Sequence, residues 1–285
     1  MNSARRWDAG YALLAALWIT AGVGALTLLI SAAARDAIGT SRNRIALAQA
    51  SWNAAGCLAQ ARAVLADALS DPETTGSRAQ TVAWNTLDRI LAAHAQETGC
   101  VVSARAVGSR LDVNATDSTT LARLLRNLGL PPGRADTLAA AISGHGPFVS
   151  VRELHLVRGL EAVPTIDSVL DVEPGAIALN QVPRAILALL PGFRGETIDA
   201  VLEARRRDTP ITTFHELSAM LSPDARVAYD SAFPTLARTV LLVPQAWVLT
   251  ARSTVGRPPV TVAVELRIAR AGAGTSIARY RSWIE

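Results

Sequence analysis

Apolar and polar positions divide the chain into stretches of different period. From Ala9 to Ala34 the run AGYALLAALWITAGVGALTLLISAAA carries no charge. At about 1.5 Å per residue a helix of that length exceeds the roughly 30 Å hydrocarbon core of a bilayer, so the run predicts a membrane-spanning helix. From Arg35 to about Leu69 the pattern turns amphipathic. Ile38, Ile45 and Trp52 recur at heptad spacing, Ala48, Ala55, Leu58, Leu65 and Leu69 sit on neighbouring turns, and Arg42, Arg44, Gln49, Gln60 and Asp67 take other positions. This predicts one long helix whose outer half lays an apolar stripe on a sheet.

Asp71-Pro72 and the following Thr74-Thr75-Gly76-Ser77 predict a helix end and a loop. A short helix is expected over Trp84–Glu97. Gly99 then introduces a β-hairpin: Cys100–Ala106, a turn at Val107-Gly108-Ser109-Arg110, and Leu111–Val113. After Pro234 the chain is rich in Val, Leu and Thr. Leu236–Val243, Ala246–Thr254, Val260–Ala269 and Thr275–Ile284 read as strands of an antiparallel sheet. Val255-Gly256-Arg257-Pro258-Pro259 and Gly272-Ala273-Gly274 read as connections.

Between these parts lies an internal repeat. Aligning Leu111–Leu130 with Ile177–Phe193 places Asn114 on Asn180 and superimposes the leucine-rich helices that follow. Ala135–Ile142 then matches Thr197–Ala204, and Val151–Leu154 matches Phe214–Leu217. Each copy is a small helical unit, and two packed together bury a core that one alone does not. The fold class is therefore α+β: a transmembrane helix continuing into a helix packed on an antiparallel sheet, with a large all-α insertion of two helix-hairpin-helix-like repeats. The expected bounds are 1–10 for a leader, 11–35 for the span, 36–113 with 234–285 for the head, and 114–233 for the insertion.

The N-terminal run has two readings. A secretory signal peptide cut after Ala34 has an apolar core of about 7 to 15 residues, shorter than this one. The other reading is a retained helix. The basic leader with Arg5 and Arg6 ends at Gly10, and Tyr11-Ala-Leu-Leu-Ala-Ala-Leu-Trp18 follows at once. This resembles a type IV prepilin-like leader cut between Gly10 and Tyr11. Pilins and most pseudopilins carry Glu at the fifth mature position, where this chain has Ala15. The missing Glu, the leader, the LDVN entry to the helical insertion and the closing sheet together resemble the K-type minor pseudopilins of type II secretion (the general secretion pathway protein K, or GspK, family).

The resemblance implies a non-enzymatic subunit of the inner membrane, cleaved and methylated by prepilin peptidase, with a periplasmic C-terminal head. Its implied partners are the I- and J-type minor pseudopilins. Its implied role is to cap the tip of the pseudopilus and help initiate it, because Ala15 has no carboxylate to offer a subunit above. Some K-type relatives bind calcium, and Asp167, Asp171 and Glu173 are the calcium candidates here. A solvated turn is the competing reading, since their spacing is not that of an EF-hand loop.

Composition narrows the alternatives. The chain has 285 residues, room for about two modest domains, half of them apolar, and a formal net charge of +4. Every basic residue other than histidine is Arg. The cysteines are Cys57 and Cys100, which are available for one disulfide if the head lies outside the cytoplasm, the alternative being two buried free thiols. His94, His145, His155 and His215 show no metal spacing, and no GxSxG elbow is present, so no enzymatic site is expected.

The rival reading is a membrane-anchored helix-hairpin-helix DNA-binding receptor, suggested by Leu190-Pro191-Gly192-Phe193-Arg194-Gly195. It is disfavoured, and no nucleic-acid partner is expected. The matching loop of the first copy, Leu128–Gly133, contains prolines that remove amide donors. Neither repeat carries the unopposed cations that phosphate binding uses: Leu111–Leu160 has five Arg against four acids, and Ile177–Ser222 five against five. Arg205-Arg206-Arg207 reads as the solvated end of a helix, where cations suit the dipole.

Overall fold

The computed structural model describes residues 4–70, 78–98, 101–271 and 274–284. The loop expected at 71–77, Cys100 and the turn residues Gly272 and Ala273 lie outside them. One helix, α1 (Ala4–Ser70), runs without a break from the leader through the apolar run. Helices α2 (Arg78–Asn85) and α3 (Leu87–Thr98) follow, then strands β1 (Val102–Ala106) and β2 (Leu111–Asp112). The first repeat contributes α4 (Ser118–Asn127), α5 (Pro132–Gly144), α6 (Val151–Leu154), α7 (Ile166–Val169) and β3 (Leu170–Asp171). The second contributes β4 (Ile177–Ala178), α8 (Arg184–Leu187), α9 (Gly195–Arg206), α10 (Phe214–Ala219), α11 (Pro223–Thr239) and β5 (Val240–Leu241). Strands β6 (Ala246–Val255), β7 (Val260–Ala271) and β8 (Gly274–Ile284) close the chain.

Contacts divide the molecule into two compact units. One is α1 as far as Ala54 with Arg252–Ala263 and the chain from Trp283 onward; the other is Ala55–Ala251 with Val264–Ser282. In the first, Gly256 has a φ of +92°, a conformation that glycine tolerates, and a Cβ there would come within 2.8 Å of Ala46 Cβ. Among the residues of α1 in this unit whose burial is described, Ala46, Ala50 and Ala54 are the buried ones. Their small side chains allow such a close approach of backbone to helix.

In the second unit the buried face of α1 is Leu58, Ala61, Leu65 and Leu69. The main sheet has the order β1-β6-β7-β8. β1 pairs antiparallel with β6, with Val102 opposite Ala251 and Ala106 opposite Trp247. Trp84, fully buried on α2, donates from Nε1 to the carbonyl of Pro244. Both repeats share one continuous core, running from Leu111 and Leu121 through Leu154 and Ile186 to Leu236 and Val240. This is the joint burial expected of two units too small to fold alone.

Four expectations change. Ile38, Ile45 and Trp52 do not lie on the sheet; they are exposed, and α1 buries its alanine and leucine face instead. The helix over Trp84–Glu97 is two helices that meet at Thr86, whose hydroxyl donates back to the carbonyl of Val82 at 2.9 Å. Residues 102–112 are not a hairpin. The turn closed by the Ser109 N–H on the Ala106 carbonyl takes the chain out of the main sheet, and β2 pairs parallel with β3. Gly108, with a φ of +84°, permits this exit; a Cβ there would overlap the Ala176 carbonyl oxygen. Finally, α11 continues through the exposed Pro234 to Thr239, and the strand expected from Leu236 shrinks to β5. Leu236 is fully buried in the helical core, which holds that turn against the missing proline N–H.

Candidate functional site

The first candidate site is α1 itself. Its apolar part is long enough to cross a membrane and none of the most apolar stretch is buried. Tyr11, Leu14 and Trp18 are exposed, as is Ala15. Thr20 and Thr27 return their hydroxyls to helix carbonyls one turn back, Thr20 to Ala16 at 3.0 Å and Thr27 to Val23 at 3.0 Å. These two hydroxyls are therefore satisfied within the helix. The helix runs through the Gly10–Tyr11 bond as continuous α structure. Cys57 is half-buried on α1 and is not a free thiol; Cys100 lies outside the described residues.

The helical block is built twice from one plan. Asn114 Nδ2 donates to the Phe148 carbonyl at 2.9 Å, and its Oδ1 accepts the Phe148 N–H at 2.8 Å. Asn180 does the same for Ile211, at 2.9 Å and 2.9 Å. Each clasp fixes the segment that leads into the third helix of its repeat. There Ser150 and Thr213 are the N-caps, accepting from Arg152 N–H at 3.1 Å and Glu216 N–H at 3.0 Å. Glu153 and Glu216 reach back past the caps to the N–H groups of Val149 and Thr212, at 2.9 Å and 3.0 Å, so the same glutamate ties down the residue before the cap in both copies. Each copy also closes on a parallel strand pair, β2 with β3 and β4 with β5. The asparagine alignment in the sequence thus marks true structural equivalence.

The hairpin loop of the second repeat is engaged inside the block. Gly192 has a φ of +74°, and a Cβ there would stand 2.7 Å from the Ala228 carbonyl oxygen and 2.8 Å from Ala232 Cβ on α11. The glycine face that would approach a phosphate is taken up by protein. The arginine run behaves differently from expectation at its first residue. Arg206 and Arg207 are exposed and both pair with Glu203 at 2.7 Å, but Arg205 turns inward and donates to the Leu179 carbonyl. It shares the face of α9 that carries the buried Val201, and burial pulls its guanidinium down to about 10.

The acidic candidates separate. Asp167 pairs with His155 Nε2 at 2.9 Å on the surface. Asp171 and Glu173 are almost wholly buried, and each faces arginines. Asp171 pairs with Arg105 of β1; Glu173 pairs with Arg279 of β8 and stands 3.6 Å from Arg267 of β7. Glu265 joins them, 2.6 Å from Arg281 and 3.6 Å from Arg279. Guanidinium groups thus occupy the space around these carboxylates, a surrounding that repels a dication rather than holding one. Among the described residues no group of three or more His, Cys, Asp or Glu side chains is placed to hold a metal ion. Sequence reading missed the arginine side of this network, whose only signal was charge at alternate strand positions, Glu265-x-Arg267 and Arg279-x-Arg281. The histidines stay apart: His145 stacks on Phe148 with ring centroids 4.8 Å apart, and His215 lines a groove of about 510 Å³ with Phe214, Tyr229 and Phe233.

No family model matches the sequence, and no curated protein matches it. A solved structure does resemble it: a chain in the crystal structure of the GspK-GspI-GspJ complex from the enterotoxigenic Escherichia coli type 2 secretion system. The TM-score is 0.57 at 15% identity, and the match covers 86% of this chain and 99% of that one. The shared feature at that identity is the fold, an α+β pilin-like arrangement of long N-terminal helix, antiparallel sheet and many helices.

Proposed function

We propose that the chain is a K-type minor pseudopilin of a type II secretion system. It is a non-enzymatic subunit anchored by α1 in the inner membrane, with its head in the periplasm. Prepilin peptidase cuts between Gly10 and Tyr11 and methylates the new terminus, and the retained helix joins those of the I- and J-type subunits. Without a carboxylate at Ala15 the subunit has no charge to pair with the N-terminal amine of a neighbour, and the inserted helical block obstructs a further head. Both features suit a tip cap that starts a filament.

The observation that carries this reading is the unbroken passage of an exposed apolar span into the helix of a head that contains a duplicated helical block. The likeness to the GspK-GspI-GspJ structure supports the same assignment at the level of fold. N-terminal sequencing of the mature protein from membranes tests it. A product starting at Tyr11 is expected; a soluble product starting at Arg35 would mark an ordinary secreted protein and overturn the reading.

A further inference from the structure

The groove between α10 and α11 has a volume of about 510 Å³, inside the roughly 300–1,000 Å³ range of ligand sites. Its α11 side is Arg226, Tyr229, Asp230 and Phe233, which at i, i+3, i+4 and i+7 share one helix face. On the α10 side the small Ser218 and Ala219 leave the gap open. Aromatic rings line the rest. Tyr229 is buried and donates from its hydroxyl to the Phe214 carbonyl at 3.3 Å, and the Phe214 and Phe233 rings meet edge to face with centroids 5.5 Å apart. Phe233 is still 43% exposed, an apolar surface that the chain itself leaves uncovered.

The groove also carries one charge of each sign. The Arg226 guanidinium donates to the carbonyls of Ser218 and Leu221, at 3.0 Å and 3.1 Å. Asp230 accepts the Ser218 hydroxyl at 3.0 Å. Both side chains are exposed, and among the described residues neither is paired with an opposite charge, although they stand one turn apart on α11. Burial, and after it the charge of Asp230, push the Tyr229 phenol above its ordinary value, so that ring stays neutral.

We propose that this groove binds an extended polypeptide segment that inserts one large apolar side chain between a basic and an acidic residue. The aromatic lining takes the apolar side chain, as such pockets take the anchors of an interface. The charges set what flanks it. Asp230 meets the base and Arg226 the acid, each gaining the opposite charge that the fold does not supply. Spacing favours an extended chain. Four residues of helix rise about 6 Å, and alternate residues of an extended chain stand roughly 6.6 Å apart, so a base and an acid on either side of one residue match Asp230 and Arg226. Alternate side chains point to opposite sides, which leaves the flanking charges at the rim when the middle one enters the groove. A free amino acid fits less well, because its ammonium and carboxylate sit on one carbon. This inference goes beyond the pseudopilin reading and does not depend on it.

The test titrates the full chain in detergent against short fluorescent peptides of glycine and serine whose centre reads lysine–leucine–glutamate or glutamate–leucine–lysine, with anisotropy as the readout. At least one order is expected to bind about tenfold or more tightly than the same peptide with serine for leucine, the scale of losing a central anchor. Replacing its lysine by glutamate should weaken binding to the unsubstituted chain and strengthen it to Asp230→Lys. Ala219→Phe fills the gap from an exposed position and should abolish binding. If that variant also lowers the melting temperature, the exchange of charge between Asp230→Lys and the peptide decides alone. Three results overturn the proposal: no preference for leucine over serine in either order, no reversal of preference in Asp230→Lys, or displacement of the peptide by an equal concentration of free leucine, which would mark a small-molecule site. N-terminal sequencing decides the pseudopilin reading separately, so the two stand or fall apart.

Discussion

The side chain of Asn180 clasps the backbone of Ile211 from both sides, donating to its carbonyl and accepting from its N–H, each at 2.9 Å. Its Nδ2 also donates to the Leu242 carbonyl at 2.8 Å, so one side chain ties the second repeat to the segment that follows β5. Asn114 makes the same clasp on Phe148 at a more exposed site. Asn180→Ala leaves backbone groups buried and unsatisfied, at about 1–3 kcal/mol for each group that cannot find another partner. Asn114→Ala leaves groups nearer to water and costs about 1 kcal/mol. Urea denaturation of the two variants checks the order; equal losses would mean that burial does not distinguish the clasps.

Glu173 tests the ion network. Its side chain is 2% exposed and faces Arg279 and Arg267. Glu173→Ala removes the central anion and leaves clustered guanidinium groups partly desolvated, which costs about 3–5 kcal/mol when a buried pair is broken from one side. Thermal unfolding should show the loss. Arg279→Ala should cost less, because its side chain is 40% exposed and water replaces part of what is removed.

Gly192→Ala places a methyl where the Ala228 carbonyl and Ala232 already stand, in a backbone conformation that alanine disfavours. A destabilisation of about 1–3 kcal/mol is expected from the strained dihedral alone, with the overlap added. The same substitution at Gly133, whose Cβ position meets nothing within 4 Å, should be close to neutral. Chemical denaturation of both variants separates the two cases.

Processing is open to a direct mutation. Gly10→Ala is expected to leave an uncleaved precursor in the membrane and to block secretion through the system. Immunoblotting of membrane fractions reads the first effect and assay of the culture medium the second. Normal processing and secretion in that variant would count against the proposed leader.

On the pseudopilin reading, which puts the head outside the cytoplasm, Cys57 and Cys100 are expected to form one bridge. Intact mass under non-reducing conditions should lie two hydrogen atoms below that of the reduced chain, the two thiols having been oxidised to one disulfide. Cys57→Ala should lower stability by about 2–4 kcal/mol, the usual contribution of one disulfide. Equal masses in the two states would show free thiols.

Hydrophobic patterning located the long helix and the strands from Ala246 onward, because burial demands a period of 3.6 in a helix and 2 in a strand wherever one face is apolar, and alignment of the chain with itself located the duplication. The paired asparagines were legible for a related reason: a side chain that clasps backbone serves the same purpose in each copy and so recurs at the same place. Tertiary structure decided which face of α1 is buried. The heptad row was the stronger hydrophobic signal, yet the alanine face won in the stretch up to Ala54, where Gly256 closes to within 2.8 Å of the Ala46 methyl position. It also decided the fate of the acids between the repeats. Asp171 and Glu173 read as a loop cluster in one dimension, but strands far along the chain bring arginines onto them. Sequence shows which groups are charged; only the fold shows what each charge meets, because electrostatic energy depends on separation in space and on burial rather than on distance along the chain.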